Sequence, residues 1–263
     1  MNLNIKGKIA VITAASKGLG RAVAESFARE GVNLAICARN KDLILNTAKY
    51  IKNEFKVDVV AYECDVSNPN DINTFAHFVI DHFKTCHILF TNAGGPPSGR
   101  LSDFSTEDIR NALDLNLMST VNLVKTFLPY MKSQKWGRIL ASTSSNIRQL
   151  LPQFPLSNIS RISVLAYIKT LAGEIAPYNI TANVLAPGLF LTEPTKEYIE
   201  NIAKHESITY NEALSKIKKT IPVNKIGRPE DYGALAAFLA SEHAEFITGE
   251  SFLIDGGAYY SVI

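Results

Sequence analysis

Short runs of apolar, often β-branched residues alternate along the chain with longer stretches in which apolar residues recur every three or four positions. The short runs predict buried strands, and the longer stretches predict amphipathic helices. The predicted strands lie at 8–13, 32–38, 57–63, 87–91, 137–142, 180–186 and 251–254. The predicted helices lie at 18–30, 41–54, 70–84, 106–131 (as two stretches), 158–177 and 196–219.

This regular alternation predicts βαβ units, because parallel strands need long crossover connections that are usually helical. Right-handed crossovers then give an α/β fold. We expect a single Rossmann-type, doubly wound domain over 1–263, with a seven-stranded, mostly parallel sheet and helices on both faces. Ligands of such sheets bind beyond the carboxyl ends of the strands. The candidate chemistry is therefore expected in the loops that follow the strands.

The least regular part of the chain is 187–229, which opens with Pro187-Gly188 and ends at Pro229. It follows the carboxyl end of a predicted strand and contains the polar helical stretch 196–219. Such an excursion is typical of a lid over a site, here predicted at 189–222. A surface helical insertion is the alternative, and the pattern alone leaves both open.

Composition and charge exclude several classes of function. The 263 residues carry a net charge of only +2, which gives no support for a nucleic-acid partner. Three cysteines without CxxC spacing and five scattered histidines predict buried thiols in a reducing compartment and no metal site. Without a secretion signal or a membrane-length apolar run, we expect a cytoplasmic protein that does not bind membranes.

A glycine-containing segment, TAASKGLGRA (13–22), follows the first predicted strand. Gly18 and Gly20 open the next helix, whose free N–H groups and positive dipole end attract a phosphate. Three further short motifs follow other strands at the same expected edge of the sheet: CDV (64–66), NAGG (92–95) and APG (186–188). Together they indicate a nucleotide cofactor.

These motifs resemble those of the short-chain dehydrogenase/reductase family. TAASKGLG resembles the family's TGxxxGxG loop, and NAGG and LNLMST (115–120) resemble its NAG motif and its asparagine-bearing helix. The resemblance extends over about 7–258 and is strongest to the 3-oxoacyl-acyl-carrier-protein reductases. It implies hydride exchange between a nicotinamide cofactor and a small carbonyl or alcohol substrate. It also implies a homo-oligomer, a tetramer or a dimer, paired through 106–131 and 158–177, with the apolar tail 258–263 as a further candidate contact.

The resemblance assigns cofactor contacts to four loops. The phosphate loop would comprise Thr13, Ser16, Lys17, Gly18, Leu19 and Gly20, and the adenine would lie against Asp65 and Val66. The ribose would lie near Asn92, Ala93 and Gly94, and the nicotinamide amide near Pro187, Gly188, Leu189 and Thr192. One departure is Ala14, which replaces the first glycine of the loop and would be strained if that position has a positive φ.

The end of the second predicted strand favours NADP(H) over NAD(H). NAD-dependent proteins of this architecture place an acidic residue there for the ribose 2′-hydroxyl. The sequence at this point is CARNK (37–41), so Arg39, together with Lys17, could pair with a 2′-phosphate instead.

The family's catalytic tyrosine and lysine are absent. Counting without gaps from Asn116 and Arg138 places the family's serine on Ser144, its tyrosine on Ser157 and its lysine on Arg161. No tyrosine in the chain is followed four residues later by lysine. The predicted catalytic residues are therefore Asn116, Ser144, Ser157 and Arg161.

Serine is a far weaker acid than tyrosine, but an arginine in place of the lysine can still hold a ribose or a developing alkoxide. Arg148 and three residues of the predicted lid are candidate replacements for the proton donor: Tyr198, His205 and Tyr210. Three functions stay open. The protein is an NADP(H)-dependent oxidoreductase with an altered site, a cofactor-binding sensor or inactive partner subunit, or a lyase or isomerase in which Arg161 stabilises an enolate.

Overall fold

The computed structural model describes residues 1–260, and its centre is one sheet of seven strands. These are β1 (Ile9–Ile12), β2 (Asn33–Ala38), β3 (Val59–Glu63), β4 (Ile88–Thr91), β5 (Gly137–Ser142), β6 (Ile180–Pro187) and β7 (Ser251–Ile254). Their order is β3-β2-β1-β4-β5-β6-β7, and all six neighbouring pairs are parallel. The predicted doubly wound α/β domain is confirmed. The end of the predicted domain, 261–263, lies outside the described residues.

Nine helices surround the sheet in the part of the chain that the structure describes. They are α1 (Gly18–Arg29), α2 (Lys41–Phe55), α3 (Pro69–Phe83), α4 (Thr106–Leu113), α5 (Ser119–Ser133), α6 (Pro155–Ile175), α7 (Glu193–Glu206), α8 (Tyr210–Lys219) and α9 (Pro229–Leu239). A short π-helical turn, Asp114–Met118, joins α4 to α5. None of the helices in residues 1–260 combines the length and apolar character that crossing a bilayer requires.

Two apolar cores cover the two faces of the sheet. Alternate residues of β5 show the division, because Leu140 packs in one core while Ile139 and Ala141 pack in the other. The first core includes residues of α1, α2 and α9, and the second includes residues of α3, α5 and α6. Strands buried on both faces are apolar at nearly every position, which is why the sequence predicted them well.

Two predicted helices need correction, and one helix was not predicted. Helix α6 begins at Pro155, three residues before its predicted start, because proline suits the first turn of a helix. The stretch 196–219 forms two helices, since Ser207 adopts a left-handed conformation that ends α7 and Thr209 caps α8. Helix α9 was not predicted, and Pro229 is its first residue, not merely the end of an irregular segment.

The predicted lid, 189–222, contains α7 and α8 packed on each other. Their apolar faces share a small core of their own, formed by Ile199, Ala203, Ala213 and Ile217. At the base of this segment, Phe190 and Gly227 form an isolated parallel bridge. The predicted lid segment is thus a helical pair with a core separate from those that stabilise the sheet.

Candidate active site

A cleft of about 560 Å³ lies at the carboxyl edge of the sheet. Strands β1 and β4 are neighbours in the sheet, and the helices that follow them pack on opposite faces. The cleft lies at this position, which is the switch point of a doubly wound sheet. The structure brings most of the predicted residues together on its wall: Ser16, Lys17, Gly18, Leu19, Arg39, Asp65, Val66, Asn92, Ala93, Gly94, Ser144, Arg161, Pro187, Gly188 and Thr192.

Five predicted residues lie away from the wall of this cleft. Thr13 is fully buried and joins β1 to β4, because its Oγ1 donates to Asn92 O at 2.7 Å and accepts from Asn92 N at 2.9 Å. Leu189 faces a second cavity beside Phe190. The other three are buried in or near their helices: Gly20, Asn116 and Ser157. The structure therefore places none of these five residues on the surface of the cleft.

The loop after β1 fits a phosphate group. Lys17 is the N-cap of α1 but provides no side-chain cap, and the first turn contains no acidic residue, so its N–H groups are available to an anion. Gly18 has φ +60°, and a Cβ at Gly20 would lie 2.3 Å from Ala14 O. Both glycines are therefore required by the backbone.

Ala14 adopts φ +50°, so this departure from the family motif does create strain. The left-handed region costs a residue with a Cβ about 1–2 kcal/mol. The tight turn nevertheless forms, because Ala15 N donates to Cys37 O at 3.1 Å and Gly20 packs directly under the turn.

The end of the cleft beside β2 carries Lys17 and Arg39, both exposed. Asn40 follows Arg39 and uses its Oδ1 to cap α2 by accepting from Leu43 N at 2.9 Å. No carboxylate therefore follows directly after β2. Asp65 is engaged locally, since its Oδ1 accepts from Ser67 N at 3.0 Å and Ser67 Oγ at 2.7 Å.

Arg161 lies at the opposite end of the cleft. Its side chain reaches from α6 to the ends of two strands and is only 8% exposed. Nη1 donates to Thr143 O at 2.7 Å and to Ser142 O at 3.4 Å, and Nη2 donates to Gly94 O at 3.5 Å. Burial lowers the pKa of Arg161 to about 10, so the group stays cationic at neutral pH.

Of the other predicted catalytic residues, Ser144 lines the cleft and Asn116 does not. Ser144 is half-buried in extended backbone, and its Oγ accepts from Asn146 N at 3.3 Å. Asn116 lies in the π-helical turn, a feature that often marks functional sites, and its Nδ2 donates to Ala112 O at 3.3 Å. Its neighbour Leu115 reaches the cleft wall.

The four candidate proton donors are not on the cleft wall. Arg148 Nη2 donates to Ser251 Oγ at 2.6 Å and to Ser251 O at 3.2 Å, so it is bound to β7. Tyr210 packs into the small core of the lid. Tyr198 and His205 lie exposed on α7.

Sequence reasoning missed Ser142 and Tyr232. Ser142 ends β5 and lies on the cleft wall, while Tyr232 lies on α9 and is fully buried. The Tyr232 hydroxyl donates to Ser142 Oγ at 2.9 Å. The mostly apolar run 232–239 could have indicated a buried element, but no local signal links Tyr232 to β5.

A glycine turn before a helix, at the switch point of a doubly wound sheet, defines a dinucleotide-binding α/β protein. Within the described residues, no cluster of three histidine, cysteine, aspartate or glutamate side chains could hold a metal ion. The sequence model of the family described as "Enoyl-(Acyl carrier protein) reductase" matches residues 13–259. The chain belongs to the short-chain dehydrogenase/reductase family of oxidoreductases.

Similar proteins extend over nearly the whole chain. "Dehydrogenase/reductase SDR family member 4" of Bos taurus is 30% identical over 255 residues, covering 97% of this chain and 88% of the relative. "3-oxoacyl-[acyl-carrier-protein] reductase FabG" of Aquifex aeolicus is 28% identical, covering 98% of this chain and 100% of the relative. L-sorbose reductase from Gluconobacter frateurii, solved with NADPH and L-sorbose, superposes with a TM-score of 0.96 at 29% identity, with both chains fully covered.

Proposed function

We propose that this protein is an NADP(H)-dependent oxidoreductase that acts on a carbonyl or an alcohol through an altered active site. The observation that carries the proposal is the continuous cleft from Arg39, past the phosphate loop, to Ser144 and Arg161. Two exposed cations and the absence of a carboxylate directly after β2 favour a 2′-phosphate. The similarity to an NADPH-bound sorbose reductase agrees with this preference.

When bound, the nicotinamide exchanges a hydride with the carbonyl carbon of the substrate. The chain then has to stabilise the negative charge that develops on the carbonyl oxygen. Arg161 provides a fixed cation, and its Nε makes no hydrogen bond within residues 1–260. Ser144 provides a hydroxyl on the same wall. Preorganised donors of this kind stabilise an oxyanion without reorganisation during the reaction.

Titration of the purified protein with NADPH and NADH, followed by nicotinamide fluorescence, tests the cofactor assignment. We expect tighter binding of NADPH. Arg39→Gln should weaken NADPH binding about tenfold, because a charge-assisted hydrogen bond is lost, and should change NADH binding little. Arg29→Gln, a change on the far end of α1, is the matched control. Failure to bind either nucleotide would refute the proposed function.

A second candidate function is cofactor binding without turnover. It is favoured by the placement of Ser157, only 9% exposed and off the cleft wall, and by the three backbone carbonyls that hold Arg161. In that case the protein would bind NADPH but oxidise none across a panel of carbonyl compounds.

Restoring the family pair tests whether the pocket still accepts 3-oxoacyl substrates. Ser157→Tyr combined with Arg161→Lys is expected to raise 3-oxoacyl reduction by at least about tenfold, because a positioned general acid contributes roughly 10²–10⁴-fold. Arg161→Lys alone is the control and should give no gain. If the double variant folds, binds NADPH and still gains nothing, the pocket does not accept 3-oxoacyl substrates.

A further inference from the structure

Tyr232 and Ser142 form a hydrogen-bonded pair of hydroxyls beneath the cleft. Tyr232 approaches from α9, where its ring packs edge-on against Phe90 and Phe190 at centroid distances of 6.3 and 5.5 Å. Only its hydroxyl is polar, and that hydroxyl donates to Ser142 Oγ at 2.9 Å. The aromatic contacts would be the same for phenylalanine, so the apolar core alone does not require this hydroxyl.

The pair lies at the junction of β4 and β5. Arg161 marks this junction, because its two terminal nitrogens reach Gly94 O after β4 and Ser142 O in β5. The sheet order places the phosphate loop over β1 on one side and the Pro187-Gly188 turn after β6 on the other. A dinucleotide bound along the cleft would have its nicotinamide ribose held between these two loops, where Ser142 lies on the same wall.

The serine hydroxyl has one unused proton. Ser142 Oγ accepts from Tyr232 and donates no hydrogen bond within the part of the chain that the structure describes. A hydroxyl that accepts one hydrogen bond becomes a better donor for the next. Burial raises the pKa of Tyr232 well above its usual range even though the Arg161 cation acts in the opposite direction. Tyr232 therefore remains a neutral donor to Ser142, a residue that lies on the cleft wall.

We propose that Ser142 donates a hydrogen bond to a hydroxyl of the nicotinamide ribose and that Tyr232 is the positioning residue that orients it. This inference rests on the proposed function, because it requires a nicotinamide dinucleotide in the cleft. The Ser142 hydroxyl of β5, oriented by Tyr232 of α9, would then make a ribose contact in a site that lacks the family's catalytic tyrosine.

The test compares two ligands that differ in the nicotinamide half. Wild-type protein, Tyr232→Phe, Ser142→Ala and the double variant are titrated with NADPH and with adenosine 2′,5′-bisphosphate, which has no nicotinamide ribose. Each single variant should weaken NADPH binding about three- to tenfold, the equivalent of one hydrogen bond, and leave the bisphosphate within about twofold. The double variant should lose no more NADPH affinity than Ser142→Ala does, because both changes interrupt the same series of hydrogen bonds.

Tyr167→Phe, on the half-buried surface of α6, is the matched control for removing a tyrosine hydroxyl and should change neither affinity. Unchanged NADPH affinity in Tyr232→Phe would overturn the inference. Equal weakening of both ligands would also overturn it, since it indicates a general structural effect. A wild-type protein that binds neither ligand would refute the proposed function itself. If the wild-type protein binds both ligands, the affinities of the variants decide whether Ser142 and Tyr232 contribute to the ribose contact.

Discussion

Ala14 carries backbone strain at the centre of the phosphate loop. Its φ of +50° is a conformation that glycine adopts freely and alanine does not. The strain persists because the surrounding turn fixes the backbone, with Ala15 hydrogen-bonded to β2 and Gly20 packed against Ala14 O. The family glycine has been lost here without loss of the turn.

Ala14→Gly is expected to raise the free energy of unfolding by up to about 1 kcal/mol, because relief of the strain exceeds the entropy that glycine adds to the unfolded chain. Urea denaturation measures this change. Ala15→Gly is the matched control and should destabilise, since Ala15 is buried and has no positive φ to relieve. Equal destabilisation by both changes would show that the turn tolerates alanine without strain.

The sequence indicates residue groupings best where they are local. The phosphate loop, NAGG and the Pro187-Gly188 turn are each contiguous in sequence, and most of their residues line one cleft, whereas Thr13 and Gly20 lie off its wall. The pairing of Tyr232 with Ser142 joins residues 90 positions apart, so no periodicity or spacing indicates it. Ser157 was counted in the family register, but its burial depends on how α6 packs, which the count does not contain.

Among the helices, those of the predicted lid segment are held by contacts of their own. Helices α7 and α8 bury Ile199, Ala203, Ala213 and Ile217 against each other, apart from the two cores of the sheet. A segment with a small separate core can open while the rest of the fold stays intact.

Ile199→Ala should therefore loosen the lid selectively. Removing a buried isoleucine side chain costs about 2–5 kcal/mol, which is large relative to such a small core. Hydrogen exchange in 193–219 is expected to accelerate strongly, while exchange in α6 and the midpoint of global unfolding change little. Val164→Ala, in the main core under α6, is the contrasting control and should lower global stability. A large fall in global stability with Ile199→Ala would show that the lid is coupled to the sheet.

The elements also show which patterns mislead. Strands of the sheet were predicted because their apolar runs are short and continuous. Helix α9 is also apolar at most positions, but it begins with a proline and lacks a polar stripe, so its helical period is weak. The division between α7 and α8 depends on one left-handed residue, Ser207, in a polar stretch that otherwise continues the helical pattern.

At the scale of the whole molecule, His87 links stability to pH. Its Nδ1 accepts a hydrogen bond from Ile9 N at 3.2 Å, which requires the neutral imidazole. Burial, with a smaller contribution from the nearby Lys8 cation, lowers the pKa of His87 to about 4. Between that value and the unfolded value of about 6.5, the unfolded chain binds more protons than the folded one.

The free energy of unfolding should thus lose this contribution as the pH falls from about 6.5 to about 4. His87→Asn retains an acceptor for Ile9 N but cannot titrate, so the variant should show a shallower decline of thermal midpoint over that range. His77→Asn, on the exposed face of α3, controls for the change of residue type. Parallel pH profiles for wild type and His87→Asn would contradict this assignment.

The outer surface of α6 carries two exposed isoleucine side chains. Ile159 and Ile162 are 37% and 40% exposed on the same helix. We propose that this surface pairs two copies of the chain in a dimer or tetramer. Light scattering should give an oligomeric mass, and Ile159→Glu with Ile162→Glu should lower it while circular dichroism stays unchanged. A monomeric wild-type protein would refute the proposal.

The bridge at the base of the lid has a consequence for evolution and engineering. Leu191 N donates to Gly227 O at 2.8 Å and Gly227 N donates to Leu189 O at 3.0 Å, so the two ends of the segment are hydrogen-bonded to each other. A Cβ at Gly227 would lie 2.8 Å from the Phe190 ring, which keeps glycine at this junction. Helices α7 and α8, which share a core of their own, are therefore the part of this segment that a related sequence can replace with the least disturbance, whereas Thr192 at its start belongs to the cleft wall and has to be retained.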